Sequence, residues 1–212
     1  MVSMSPNCEV TVVPTGVDVE QFRRPASAAA PLPIVMFLGS MDWPANIDGV
    51  EFFCQQIWPR ILGTVPAAKF RVVGRTPPPR VRRLESASVE IVGGVESVVP
   101  HLHAAAVFVV PLRIGGGTRL KIYEAMAAAL PVVSTRVGAE GLEVTPGDDI
   151  ILADDPAEFA RSVVELLTDE RRRDEIARAA ARTAARFDWE EISKEFESVL
   201  GRTVASERSG EH

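Results

Sequence analysis

The chain has 212 residues, 46% of them apolar and 25% charged, with a formal net charge of -6, a pI near 5.2 and a mean hydropathy of +0.09. A single domain of this length buries roughly 70% of its unfolded surface, so no disulfide or metal staple is required; Cys8 and Cys54 form no Cys-x-x-Cys pair, which excludes a cysteine zinc site and fits a reducing compartment. The acidic balance argues against a general nucleic-acid binder, because affinity for a phosphate backbone comes from a basic face that releases counterions.

The first residues, MVSMSPNCEV, have neither a basic n-region nor an apolar h-region, so no secretory signal is expected. The longest uncharged apolar run, 97–112, is broken by Pro100, His101 and His103 and falls short of the roughly 20 residues that span a bilayer. A cytoplasmic protein is expected, with peripheral attachment to the inner face of a membrane left open. A strand over 10–13 and a Pro/Ala/Ser-rich linker over 24–33 make residues 1–30 a leading segment. Short β-rich apolar runs then read as buried parallel strands at 34–38, 70–73, 89–92, 107–110, 132–134 and 150–152. Helical periodicity fills 48–62, 80–87, 96–105 and 119–129, and three helices follow Asp155.

Two of those last helices have written starts, since Asp155 and Asp188 each stand three residues before a Glu, as in a capping box. The helix over 170–185 carries Ile176, Ala180 and Ala184 on one face and Arg, Glu and Asp elsewhere, which is a solvated helix rather than a nucleic-acid arm. Residues 203–212 are polar and read as a disordered tail. The alternation of strand and helix predicts an α/β fold: a Rossmann-like doubly wound parallel sheet over 31–202.

The chemistry concentrates in 111–131, PLRIGGGTRLKIYEAMAAALP. A strand ends at Pro111, three glycines follow, and Thr118 is placed to cap a helix whose first turn holds Arg119 and Lys121. Cations in a helix's first turn cost roughly 0.3–1 kcal/mol each where exposed. An anion held by the backbone at Gly117 and Thr118 and by the helix start would offset that, phosphate or diphosphate being the usual case. The alternative is that both side chains extend into water and the glycines serve a tight turn. The spacing matches neither G-x-G-x-x-G nor the P-loop pattern. On the same helix Ile122, Ala125, Met126 and Ala129 share one face, while Glu124 lies off it, either as a ribose-binding carboxylate or as an ordinary solvated Glu.

FLGSMDWPANIDGVEFF, FRVVGR, PLRIGGGTRLKIYEAMA, PVVSTRVGAEGL and FDWEE together resemble the C-terminal, nucleotide-sugar-binding domain of the family-four glycosyltransferases, which have the two-domain GT-B architecture. The likeness covers about 10–200, and its opening PTGVDVEQF is similar to the PNGVD segment with which such domains begin. It implies that Glu124 is the second Glu of the family's E-x7-E pattern and holds the donor ribose. Eight residues earlier stands Gly116, so the first Glu is absent. Gly39 matches the glycine turn after the first strand, where the diphosphate approaches the backbone. Many relatives continue that turn with an Arg and a Lys; here Ser40, Met41, Asp42 and Trp43 follow. Arg119 and Lys121 are therefore the candidates to supply the positive charge and to stabilise the departing diphosphate.

Gly74 and Arg75 resemble the turn that lines the same cleft, although Arg75 could equally pair with a surface carboxylate. The backbone at 93–95, with Gly94 at its centre, matches the part that reads the nucleobase. His101 and His103 have no third ligand at useful spacing and read as packed or partly exposed. The resemblance implies a nucleoside-diphosphate sugar as substrate, no metal or other cofactor, and retention of anomeric configuration. It also implies an acceptor-binding domain or partner chain, ahead of PTGVD in relatives, without which this chain would bind donor and not turn over. A membrane-surface acceptor and self-association are left open. The second reading is a nucleotide-binding or assembly subunit with no turnover of its own; a dehydrogenase is disfavoured because FLGSMDW lacks the dinucleotide fingerprint.

Overall fold

Runs rich in Val, Ile and Phe become central strands when both faces are covered, and each fully buried side chain of that size contributes about 1.5–3 kcal/mol. The computed structural model describes residues 11–25, 31–115, 117 and 119–209. In chain order it runs α1 (Val19–Phe22), β1 (Ile34–Leu38), α2 (Pro44–Phe52), a π-helical segment (Phe53–Ile57), α3 (Trp58–Thr64), β2 (Lys69–Val73), α4 (Pro79–Arg82), β3 (Val89–Gly93), α5 (Val99–Ala104) and β4 (Val107–Val110). It continues through α6 (Leu120–Ala127), β5 (Val132–Ser134), β6 (Ile151–Leu152), α7 (Pro156–Thr168), α8 (Glu170–Ala185) and α9 (Trp189–Ser209). The strands pair in parallel in the order β3-β2-β1-β4-β5-β6.

This is the doubly wound arrangement. Burial follows it: β4 and β5 are buried throughout, whereas the edge strand β3 alternates. Phe53, Trp58, Phe70 and Phe159 form one aromatic cluster, with Phe53 and Phe70 ring centres 4.4 Å apart. The helix expected over 48–62 begins earlier, at Pro44, and is interrupted by the π segment. Pro59 explains the interruption: it has no N–H to continue the α ladder, and the Trp58 N–H bonds the Phe53 carbonyl five residues back.

The ends of the chain depart most from the sequence reading. Residues 11–13 form no strand, and position 10 lies outside the described residues; instead Val17 bridges to Asp188. The Val17 N–H bonds the Phe187 carbonyl at 2.7 Å, and the Trp189 N–H bonds the Val17 carbonyl at 3.1 Å. Asp188 caps α9 through the Glu190 N–H (2.9 Å) and accepts the Val19 N–H (3.1 Å) with its other oxygen, so the PTGVD and FDWEE segments dock on each other. Asp155 caps α7 as its sequence indicates, through the Ala157 and Glu158 N–H groups. α9 continues to Ser209, past the expected end at Arg202, because Ala205, Glu207 and Arg208 are good helix formers whatever their polarity. Residues 26–30 of the expected linker and 210–212 of the expected tail lie outside the described residues. Among the described residues, no helix is long and apolar enough to cross a membrane.

Candidate functional site

In an open parallel sheet, ligands bind beyond the carboxyl ends of the strands where the winding reverses. Here that point lies between β1 and β4, which are neighbours in the sheet and lead to connections that diverge. The turns after β1, β2 and β3 are zipped by the main chain: Gly39 N–H to the Val73 carbonyl (3.0 Å), Met41 N–H to that of Arg75 (2.9 Å), and Gly74 N–H to that of Gly93 (2.8 Å). They enclose a cleft of about 250 Å³, walled by Gly39, Ser40, Gly74, Arg75 and Gly94 over a floor of Leu38, Val73, Val95 and Val98.

Two glycines there have no room for a side chain. A Cβ on Gly74 would overlap the Gly39 carbonyl oxygen, and a Cβ on Gly39 would lie 2.7 Å from the Lys121 Nζ and 2.8 Å from the Asn46 amide. Arg75 lines the cleft, its Nε donates to the Ser40 hydroxyl (3.0 Å) and its guanidinium lies 3.9 Å from Asp42. The next residue, Thr76, sits at φ 58°, a left-handed conformation costly for a β-branched side chain.

Across the switch point from this cleft lies the β4–α6 connection. Arg113 anchors its start, donating twice to the Asp48 carboxylate and covering the Phe52 ring at 4.6 Å. The Thr135 hydroxyl donates to the Leu112 carbonyl from below. From the first turn of α6, Lys121 crosses the switch point: its Nζ donates to Asn46 Oδ1 at 2.9 Å and stands over the Phe37 ring at 4.8 Å. Burial, reinforced by the Arg119 charge and opposed by Glu124, pushes the Lys121 pKa down to about 8. Glu124, half-buried one turn further on, has its pKa raised by burial against the pull of Lys121.

Arg119 corrects the sequence reading. It occupies the N-cap position of α6 rather than the first turn, and its side chain makes no cap. Nor does it extend into water: it is 7% exposed, and a Cβ on Gly115 would overlap its guanidinium. Thr118, the expected cap, and Gly116 lie outside the described residues, while Gly117 adopts φ 82°. Ala129 leaves the apolar face of α6 altogether. At φ 51° it closes the helix in a Schellman turn, with the Leu130 N–H bonding the Ala125 carbonyl at 3.0 Å.

The structure thus brings Gly39, Gly74, Arg75 and Gly94 into one cleft, with Lys121 held against the Gly39 turn and Glu124 near enough to act on its charge. Arg119 is packed against Gly115. Asn46, 7% exposed, was not singled out from the sequence. The available signal was slight: an Asn between apolar Ala45 and Ile47 in a helix that also carries Asp48 and Glu51. His103 reads as expected, as a packing residue whose Nε2 donates to the Phe22 carbonyl at 2.9 Å.

Strand order and switch-point cleft define a doubly wound α/β nucleotide-binding type of fold, and solved glycosyltransferases of GT-B architecture share it. Sucrose-phosphate synthase of Thermosynechococcus elongatus superposes with a TM-score of 0.74 at 24% identity, covering 92% of this chain and 52% of that one. HepE of Anabaena, solved with UDP and glucose, gives 0.71 at 18% identity, covering 90% and 56%. Residues 32–169 match the family model described as Glycosyl transferases group 1, and the chain belongs to that family.

Among curated relatives, the D-inositol 3-phosphate glycosyltransferase of Salinispora tropica is 36% identical over 115 residues, 52% of this chain and 23% of that protein. The phosphatidyl-myo-inositol mannosyltransferase of Mycobacterium leprae is 27% identical over 207 residues, 93% of this chain and 54% of that protein. The chain therefore spans about half, or less, of the curated relatives it matches.

Proposed function

We propose that this chain is the donor-binding, C-terminal half of a family-four glycosyltransferase. A nucleoside-diphosphate sugar docks at the carboxyl edge of the sheet, and the sugar passes to an acceptor held by another domain or chain. The observation that carries this reading is the Lys121 ammonium held at the Gly39 turn across the β1–β4 switch point. The base lies against Val95 and Val98 beside Gly94, the diphosphate approaches the backbone at Gly39 and Gly74, and Glu124 accepts from the ribose hydroxyls.

Departure of the nucleotide develops negative charge on the diphosphate. A fixed, desolvated cation and the positive end of the α6 dipole stabilise that charge without reorganising. Arg119 acts one layer behind, through the field at Lys121. The reading carries retention of configuration and requires no metal.

Gly116, standing where relatives place the first Glu, favours a second reading in which the chain binds nucleotide without turnover of its own. Relatives named for inositol-containing acceptors make a polyol or a lipid-borne polyol at a membrane surface the acceptor class to assay first. Calorimetric titration with UDP, GDP, ADP and their sugars tests the donor site: one nucleotide class binding above the others supports it, and none binding refutes it. Sugar transfer measured with and without an acceptor domain added in trans separates the two readings.

A further inference from the structure

Asn46 sits in the first turn of α2, buried, at a position where an apolar side chain would be cheaper. Both halves of its amide are committed. Oδ1 accepts from the Lys121 Nζ at 2.9 Å, and Nδ2 donates to the Ser40 carbonyl at 2.8 Å. The orientation is fixed by chemistry, since an ammonium is donor-only and a carbonyl acceptor-only. One side chain therefore joins the glycine turn after β1 to the cation from α6.

The residue type matters as much as the place. A carboxylate at 46 would hold Lys121 more strongly but would cancel its charge and repel the Ser40 carbonyl. An aliphatic side chain would deprive a desolvated ammonium of that acceptor, leaving it over the Phe37 ring with Arg119 repelling it and Glu124 as its carboxylate neighbour. A neutral amide is the acceptor that keeps the ammonium in place and leaves its charge unspent. We propose that Asn46 is a positioning residue that holds the Lys121 cation against the Gly39 turn without neutralising it, so that the charge is left for a bound diphosphate. This rests on the donor-site reading above.

The test has two readouts. The first is the titration of Lys121 followed by NMR in the nucleotide-free chain, with Lys121→Met to assign the signal. In the wild type its midpoint is about 8; it moves up in Asn46→Asp and down in Asn46→Ala. The second is affinity for UDP, GDP or ADP, whichever binds best, against pH and salt. Asn46→Asp binds about tenfold or more weakly, as expected on cancelling a charge-assisted contact, and is less salt-dependent. Asn46→Ala also binds weakly near pH 8 and recovers towards pH 6.5, where Lys121 is charged regardless.

A merely structural Asn46 would change affinity without moving the Lys121 titration or the pH profile. An unchanged titration in both folded variants overturns the proposal, as does Asn46→Asp binding as tightly as wild type. Should Asp at 46 fail to fold, the pH recovery of Asn46→Ala decides. If the wild type binds none of the three nucleotides, the donor-site reading falls, and with it the proposed purpose of the charge, while the titrations separately report whether Asn46 holds Lys121.

Discussion

Across the β1–β4 switch point, the wall made by the turns after β1, β2 and β3 is main chain zipped to main chain, with glycines where no Cβ fits. The facing wall is side chain from α6: an ammonium, held by the Asn46 amide of α2, and a half-buried carboxylate. The first wall is set by volume, most strictly at Gly74, where an added Cβ would meet main chain. The second is set by charge in a dry environment and answers to pH and salt. Shape and electrostatics are thus assigned to different segments of sequence, and substitutions in the two should fail in different ways.

The largest effect expected is on the backbone wall. Gly74→Ala drives a Cβ into the Gly39 carbonyl oxygen, and forced overpacking of this kind costs about 3 kcal/mol or more. Denaturant unfolding should show that loss, with nucleotide binding lost in parallel. Lys121→Met should do the opposite: nucleoside-diphosphate affinity falls at least about tenfold while the melting temperature holds or rises, because a buried cation is removed. Stability unaffected by Gly74→Ala, or collapsed by Lys121→Met, would erase the distinction between the walls.

The pH dependence sharpens it. In the folded chain Lys121 titrates near 8, below the roughly 10.4 of an exposed lysine. Between those values the unfolded chain holds more protons, so the Lys121 contribution makes stability of the nucleotide-free chain rise with pH there. Diphosphate affinity runs the other way, falling as pH rises through about 8. Lys121→Met should remove both slopes.

Glu124→Ala should weaken nucleotide binding by about 1–3 kcal/mol, the cost of charge-assisted hydrogen bonds, in a folded protein. The smallest effects concern two residues held at positive φ. Ala129→Gly should stabilise by about 1 kcal/mol with no change in binding, because Gly occupies that helix-terminal position without strain. Thr76→Gly should stabilise similarly but loosen the turn that carries Arg75, so that binding weakens. Equal binding in both variants would remove any role for strain at the cleft.

The strands and the long helices were legible because each rests on local pattern. Continuous Val/Ile/Phe runs, the Asp155 and Asp188 caps and the Ile176, Ala180 and Ala184 stripe all carry their own signal. The glycine turns were legible from the family likeness, and the geometry explains them by space. What was not legible depends on partners distant in sequence. Asn46 is an unremarkable helix residue until Lys121, 75 positions away, arrives beside it. Arg119 reads as an exposed first-turn cation until Gly115 packs against its guanidinium. The strand expected over 10–13 had the composition, but its described residues 11–13 pair with no strand; the contact with Asp188 is made further on, by Val17 and Val19.

The central claim is that a desolvated Lys121 facing a glycine-walled cleft makes a diphosphate site. The most direct measurement is the affinity of the chain for matched nucleoside mono- and diphosphates at pH 7 and pH 9, in wild type and in Lys121→Met. The account predicts that the diphosphate binds more tightly at pH 7, that its advantage shrinks at pH 9 as Lys121 loses its proton, and that the advantage is absent in Lys121→Met. Equal affinities for the two ligands at both pH values, or a diphosphate preference that survives Lys121→Met, would contradict it.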